Sequence, residues 1–435
     1  MIQTFEVVDR HSQRSIHPFA GQWEKQHYQL GRPLRVLQVG KFYAPVYGGM
    51  ETHLKALCDG ISPAVQVEAA VSNRSRKSIC ETIDGIRVRR SGTVVKLAGA
   101  CVSPGLVRAI RESRADLIHL HLPNPTGILA WIASRNPAPV VVTYHSDIVR
   151  QKYLGMAFSP ILDYALRRSA AILVSSAEYV RTSPVLSRFQ DRCLVIPFGI
   201  DLEPFDDPDH AAISRIRKMY GERIILAVGR LVYYKGLEYM IRAMKDIDAH
   251  LVLVGVGPLQ PELEREVAEA GVGNRVTFLG RVDDVVAYYH ACDVFVLPSV
   301  ERSESFGLVQ LEAMACSKPV VNTDLPTGVP WVSVHGETGL TVKPRSAEML
   351  AGAINSLLSN PAHRLLLGRA ARRRVEDEFT TGMMLRRTLE AYVLALCGRA
   401  RSESADGIQA ETVDDSAVFA LTHATPKLTH AAPKG

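Results

Sequence analysis

No apolar run in the 435-residue sequence approaches the roughly 20 residues that a bilayer-spanning helix needs. Met1–Leu30 contains no apolar h-region, so a secretory leader is not expected. The seven cysteines (Cys58, Cys80, Cys101, Cys193, Cys292, Cys316, Cys397) are odd in number and scattered, with no C-x-x-C pair. They argue against a disulfide framework or a zinc site and fit a reducing compartment. Gly255-Val256-Gly257-Pro258 lacks the third glycine of a dinucleotide fingerprint, because Gln260 stands there. There is no recognition-helix or RNA-binding signature, and basic residues are not interleaved with aromatics, so nucleic acid is not an expected partner. These absences predict a cytoplasmic protein.

What is present reads as a soluble globular chain, 47% hydrophobic and 22% charged. Its length exceeds one small core and predicts two domains. Charge is uneven. Pro33–Ile200 carries 21 Lys/Arg and 11 Asp/Glu, 21 − 11 = +10; Asp201–Cys397 carries 22 and 26, 22 − 26 = −4. The basic half, with Arg87, Arg89, Arg90, Lys96, Arg108, Arg111 and Arg114, would be drawn to an anionic surface, which predicts peripheral docking on the inner face of the plasma membrane. A solvated basic face is the plainer alternative.

Apolar runs alternate with helical patterns along most of the chain. Strands are predicted at Leu34–Gly40, Val65–Val71, Arg87–Arg90, Leu117–Leu120, Val140–Tyr144, Ala171–Ser175 and Cys193–Ile196. Helices are predicted at Pro104–Arg114 and Thr126–Ser134. The pattern resumes with strands Ile224–Val228, His250–Gly255, Arg275–Leu279, Asp293–Leu297 and Pro319–Asn322, and closes on helices Ser346–Ser359, His363–Phe379 and Thr381–Cys397. Such alternation means α/β doubly wound parallel sheets, whose ligands sit beyond the strands' C-terminal ends. Boundaries are expected at 1–32 (mobile extension), 33–205 (first domain), 206–380 (second domain), 381–397 (crossover helix) and 398–435 (disordered tail).

The chemistry concentrates after those strand ends. Ser305, Phe306, Gly307 and Leu308 stand where a strand turns into a helix, so their N–H groups and the helix dipole form an anion site. Glu304 and Glu312 flank it, and carboxylates accept hydrogen bonds from hydroxyls. A ligand part phosphate and part polyol, such as a sugar nucleotide, suits both; helix-cap and surface charges would look the same. Arg230 and Lys235 follow another strand, placed for a diphosphate, although exposed charges often take that spacing. Gly48 and Gly49 follow the first strand, where small residues permit close ligand approach; a plain turn favours glycine too. His121 and His145 also follow strands, and a lone histidine there is commonly structural.

The stretch ESFGLVQLEAMA, holding Glu304 and Glu312, closely resembles the signature of retaining GT-B glycosyltransferases of family 4, and Arg230…Lys235 lies upstream in the matching order. The resemblance spans roughly residues 34–397. It implies two Rossmann-like domains facing across a cleft, with a C-terminal crossover helix. It implies a nucleotide diphosphate sugar as co-substrate, with no other cofactor and no metal; Asp246-Ile247-Asp248 precedes a strand and reads as a turn. Arg230, Lys235 and the N–H groups of Ser305–Leu308 would face the diphosphate. Glu304 would hold sugar hydroxyls and Glu312 the ribose, with His145 under the sugar. Gly48 and Gly49 would face the donor phosphates, and the backbone at Arg281 and Val282 the base. His121 and Asp147 would line the acceptor side. Phe198 replaces the usual asparagine of the domain exit. Thr327-Gly328-Val329-Pro330-Trp331 replaces a Gly-Gly segment and resembles mannosyl- and rhamnosyltransferases of polysaccharide or O-antigen assembly. The resemblance therefore favours GDP-mannose or a GDP-rhamnose-type donor and a glycan acceptor, polyprenyl-linked. A UDP-sugar donor, a nucleotide-sugar epimerase or phosphorylase-like enzyme, and a non-catalytic sugar-nucleotide-binding subunit are the competing expectations.

Overall fold

A computed structural model describes residues 32–46, 48–97, 100–147, 152–282 and 284–404. The mobile extension expected for the N-terminus and most of the expected disordered tail lie outside these residues. The strands of the first half are β1 (Arg35–Val39), β2 (Gln66–Ser72), β3 (Ile79–Ile83), β4 (Ile86–Ser91), β5 (Val95–Leu97), β6 (Ala100–Val102), β7 (Leu117–Leu122), β8 (Val140–Tyr144), β9 (Ala171–Val174) and β10 (Cys193–Val195). Those of the second are β11 (Ile224–Val228), β12 (His250–Val254), β13 (Val276–Gly280), β14 (Val294–Leu297), β15 (Val320–Thr323) and β16 (Gly339–Val342). One sheet runs β10-β9-β8-β7-β1-β2-β4-β3, the other β13-β12-β11-β14-β15-β16, and β5 pairs with β6 as a small hairpin. Apart from β3, antiparallel on β4, each neighbouring pair within the two large sheets is parallel.

The central strands are apolar because helices cover both faces: β7, β8 and β14 are buried at every residue. In each sheet the strand order reverses beside the first strand. β1 lies between β2 and β7, and β11 between β12 and β14. A crevice opens at such a switch point, outside the strands' C-terminal ends. Local signals set the helix ends. Asn124, Ser176, Asp209, Ser346 and Asn360 each cap a helix through a side-chain oxygen.

Several boundaries differ from the sequence reading. β3 was not expected, since its polar, half-exposed pattern suits an edge. Its turn, Asp84-Gly85, has positive φ at both residues, the geometry of a tight two-residue hairpin. The helix at Lys152–Arg168 was also missed. The helix expected at Pro104–Arg114 covers only Gly105–Arg111. Asp116, which accepts from the Arg32 guanidinium and the Arg35 N–H, draws the chain into β7 instead. The last helix does not end at Cys397 but continues to Ser404.

The basic residues of the first half do not form one face. Arg90 is buried, bonded to Glu81 and to the Tyr43 and Ala44 carbonyls. Arg111 caps a helix end through the Ala133 and Ser134 carbonyls. Arg87, Lys96, Arg108 and Arg114 remain exposed.

The final helix, Thr381–Ser404, returns to the first sheet. Met384, Ala391, Tyr392 and Ala395 join Leu54, Leu57, Cys58 and Ile61 of the helix Gly49–Ile61 in one core. Tyr392 also anchors it by polar contact: its hydroxyl accepts from Gln38 Nε2 at 2.9 Å and lies 2.7 Å from His119 Nδ1. Tyr392→Phe leaves both fully buried partners short of a bond. Such a loss costs about 1–3 kcal/mol, so the urea midpoint and Tm should fall, with the near-ultraviolet spectrum preserved. An unchanged midpoint would show that the anchor is the apolar packing alone.

Candidate active site

The loops after β1, β7 and β8 face those after β11 and β14 across the space between the two sheets. On the second-domain side, Gly229 and Arg230 follow β11, then a single turn of 3-10 helix, Tyr233–Lys235, buries the lysine. Gly236 has φ 63°, and a Cβ there would collide with the Pro298 carbonyl, so only glycine lets this turn lie against the β14 loop. Lys235 Nζ is 2.6 Å from Glu304 Oε2, and both side chains are 11% exposed. Ser299 Oγ donates to the same oxygen at 3.0 Å. Burial works to lower the lysine's pKa, but Glu304 outweighs it, with help from Tyr234 and Glu312, and holds it above the usual lysine value. The ammonium therefore stays charged in a dry site.

Gly307, at φ 75°, starts the helix Leu308–Ala315. Among the described residues nothing accepts from the backbone N–H groups of Ser305, Phe306, Gly307 or Leu308. Four free donors at a helix N-terminus, beside a buried ammonium, make an anion site. Glu312 is one turn into this helix. Its Oε2 accepts from Tyr289 OH at 2.5 Å, and burial raises its pKa against the pull of Tyr289 and Lys235. The Thr327–Trp331 segment braces this loop. Gly328 N–H donates to Ser305 O at 2.8 Å, and Gln310 Nε2 bonds the carbonyls of Phe306 and Val329.

On the first-domain side stands a buried polar chain. Gln38 Oε1 lies 2.9 Å from His121 Nε2, and His121 Nδ1 is 3.2 Å from His145 Nε2. With the amide so oriented, His121 donates from Nε2 and accepts from His145 Nε2–H. Tyr392 accepts from Gln38 and donates to His119 Nδ1, whose Nε2–H donates to Thr143 Oγ1 at 2.7 Å. Phe198 fits here for a reason the sequence did not show. It stacks on His145 at 5.3 Å and meets the Phe306 edge at 5.2 Å, joining the two domains.

The sequence-derived residues are placed as follows in the structure. Lys235, Glu304, Glu312 and Ser305–Leu308 converge, while Gly48, Gly49, His121 and His145 line the opposite wall. Arg230 is exposed at the rim; burial raises the Glu51 pKa, and Arg230 is close enough to work against that rise. Arg281 and Val282 stand at the end of β13, Arg281 exposed and Val282 half-buried on the second core. Asp147 does something else. Its Oδ1 accepts from Tyr144 and Ser183, and its Oδ2 faces Arg302 Nη2 of the second domain at 3.2 Å.

Glu51, His53, Tyr289 and Arg302 are among the site residues that were missed. Glu51 and His53 follow Gly48-Gly49 at helical spacing, a pattern visible in the sequence. Tyr289 and Arg302 carry no local signal; only packing brings them to the site. His53, His121 and His145 each place one ring nitrogen within 4.8 Å of the others. Neutral imidazoles in that number form a donor set for a zinc-type ion, although His121 and His145 already spend nitrogens on each other.

Two family descriptions match the chain: "Glycosyl transferase 4-like domain" over residues 48–199 and "Glycosyl transferases group 1" over 211–374. The two-sheet architecture with its cleft is the GT-B fold, and the chain belongs to this family of glycosyltransferases. It is similar to the D-rhamnosyltransferase WbpZ of Pseudomonas aeruginosa, 33% identical over 80% of this chain and 92% of that one. It is also similar to the O-antigen chain mannosyltransferase C of Escherichia coli, 31% identical over 83% and 97%. Among solved structures, sucrose-phosphate synthase from Thermosynechococcus elongatus superposes with a TM-score of 0.69 at 25% identity, covering 86% of this chain and all of that one. Anabaena HepE with UDP and glucose gives 0.70 at 19% identity, covering 82% and 99%.

The histidine chain predicts a pH effect on stability. Burial, which disfavours the imidazolium, lowers His53 to about 4 and His119 to about 3, and holds His121 and His145 well below the usual value. Their folded pKa values lie below the unfolded one, about 6.5. Stability is therefore full above pH about 6.5 and falls as the unfolded chain takes up protons below it. At pH 5 each such group costs up to about 2 kcal/mol. The urea midpoint should drop between pH 7 and 5, and drop less in His53→Phe. Equal drops in both proteins would count against neutral burial of His53.

Proposed function

We propose that the protein is a retaining glycosyltransferase that moves mannose or rhamnose from a GDP-sugar to a lipid-linked glycan acceptor in surface polysaccharide assembly, without a metal ion. The observation that carries this is the charged, buried Lys235 beside Glu304, under the free N–H groups of Ser305–Leu308. The donor's diphosphate would take those donors. Its sugar hydroxyls would bond Glu304, and its ribose Glu312. As the bond from anomeric carbon to diphosphate oxygen breaks, the acceptor oxygen bonds that carbon on the same face. Its proton passes to a phosphate oxygen of the leaving group. Lys235, Arg230 and the helix N-terminus stabilise the departing charge, and such stabilisation is usually the greatest single contribution to the rate. His145 would sit beneath the sugar, its proton position set by His121 and Gln38. Arg281 and Val282 would hold the base through backbone groups, and His121 would face the acceptor.

The choice of sugar and donor leans on the names of relatives. Two of those above are named a D-rhamnosyltransferase and an O-antigen chain mannosyltransferase, and a third, 28% identical, is a GDP-mannose-dependent mannosyltransferase of Mycolicibacterium smegmatis. Membrane docking now rests on the exposed Arg87, Lys96, Arg108, Arg111 and Arg114, and no described helix is long and apolar enough to cross a bilayer.

Thermal-shift binding with GDP, UDP, ADP, TDP and CMP tests the donor. GDP alone should raise Tm, and Lys235→Ala or Glu312→Ala should abolish the shift. A response to UDP alone replaces the donor, and no response to any nucleotide overturns the transferase reading. Lys235→Ala should also lower kcat by about 10²–10³-fold. NMR of the product should show the donor's anomeric configuration kept; inversion would overturn the mechanism.

A further inference from the structure

The far end of the first sheet holds a cavity of about 320 Å³, lined by Arg35, Gln66, Glu68, Arg87, Arg89 and Arg114 among others. It lies at the strands' N-terminal ends. The cleft is at their other end, and β1 alone, at about 3.3 Å per residue, separates the two by well over 10 Å.

The strand register explains how the cavity arises. Arg35 pairs with Gln66, Leu37 with Glu68 and Glu68 with Arg87, while Ala70 pairs with Arg89. Residues two apart share a face, so Arg35, Gln66, Glu68, Arg87 and Arg89 all project from the same side of three adjacent strands. That side carries Leu37, Val39 and Ala70 further along, packed under Leu106, Ala109 and Ile110 of the helix Gly105–Arg111. The helix has seven residues, about 10 Å, and ends before the charged rows. A parallel sheet is normally covered on both faces by apolar contact. Here one end of one face is bare and polar.

The polar groups are under-used. Arg89 Nε and Glu68 Oε2 are buried without a hydrogen-bond partner. The pairs that cross the cavity are loose, Arg87–Glu68 at 3.6 Å and Arg89–Glu68 at 3.4 Å. Arg35 reaches Gln66 only at 3.3 Å. Glu112, on the rim, is committed to Arg108 at 2.7 Å. Four guanidinium groups therefore line the cavity with one carboxylate, Glu68, which Arg87 and Arg89 reach only through these long contacts. Guanidinium forks match phosphate oxygens, while Glu68 asks for a hydroxyl donor. A buried donor and a buried acceptor that both lack a hydrogen bond are best satisfied by a partner that supplies both kinds of group. The cavity volume is in the range of small-ligand pockets, about 300–1,000 Å³.

We infer that this cavity binds a phosphorylated, hydroxyl-bearing small molecule of the sugar phosphate class, at a site separate from the cleft. The arginines hold the phosphate, and Glu68 and Gln66 take the hydroxyls.

Calorimetric titration of the full chain with glucose 6-phosphate, glucose and inorganic phosphate tests this. Glucose 6-phosphate should bind wild type and Lys235→Ala equally. Binding should weaken at least tenfold in Arg89→Ala and in Arg114→Ala. Arg114 is exposed, so its replacement leaves the fold intact even where Arg89→Ala does not. Glu68→Gln should weaken glucose 6-phosphate and leave inorganic phosphate unchanged. No heat with glucose 6-phosphate overturns the site. Binding lost in Lys235→Ala but kept in Arg114→Ala places the ligand in the cleft and overturns it too. Inorganic phosphate binding as tightly as glucose 6-phosphate overturns the sugar phosphate assignment.

Discussion

The contact between Lys235 and Glu304 is the constraint around which the second domain's site is built. Each charge would be costly alone in the place it occupies, because burial strips its water. Together, with Ser299 on the carboxylate, they hold a charged ammonium where a solvent-exposed lysine would be screened. The backbone around them follows from that need. Gly236 lets the lysine turn lie on the Pro298 carbonyl, and Gly307 turns the chain so that its N–H groups point at the same space. A site prepared this way does not have to reorganise when charge develops, the condition under which electrostatic stabilisation is most effective.

Across the cleft the first domain uses neutral groups instead. Its histidines are paired with one another, with Gln38 and with Tyr392, so every proton in the chain has a place. Tyr392 belongs to the last helix, which lies after the second domain in sequence but packs on the first. The proton position on His145 thus depends on a residue more than two hundred positions away. Arg302 against Asp147, Phe306 against Phe198 and Thr182 against Pro326 are among the contacts between the walls. Replacing Phe198 by the small amide more usual in this family would remove the ring that spans them.

The same physical rule connects the cleft to the far end of the first sheet. An interior face of a parallel sheet is apolar by default, and departures from that default mark places where something other than a helix is met. In the cleft the departures are Gln38, His119 and His121; at the other end they are Arg35, Glu68, Arg87 and Arg89.

Sequence alone determined the doubly wound class, because buried parallel strands such as β8 and β14 need runs of consecutive apolar residues. It also determined where a helix N-terminus with free N–H groups follows a buried strand. A helix N-terminus after a strand, with Glu304, Gly307 and Glu312 at fixed offsets, is local geometry written in adjacent residues. Edge strand β3 and the helix Lys152–Arg168 were not legible, since half-exposed elements carry weak patterns. Nor were the pairings: that Lys235 meets Glu304, that Tyr289 donates to Glu312, that Asp147 binds Arg302, and that Arg90 and Arg111 are spent on backbone carbonyls while Arg87, Arg89 and Arg114 meet at one cavity. Those facts depend on contacts between distant segments. They were decided by how sheets stack and where helices stop, which no local spacing encodes.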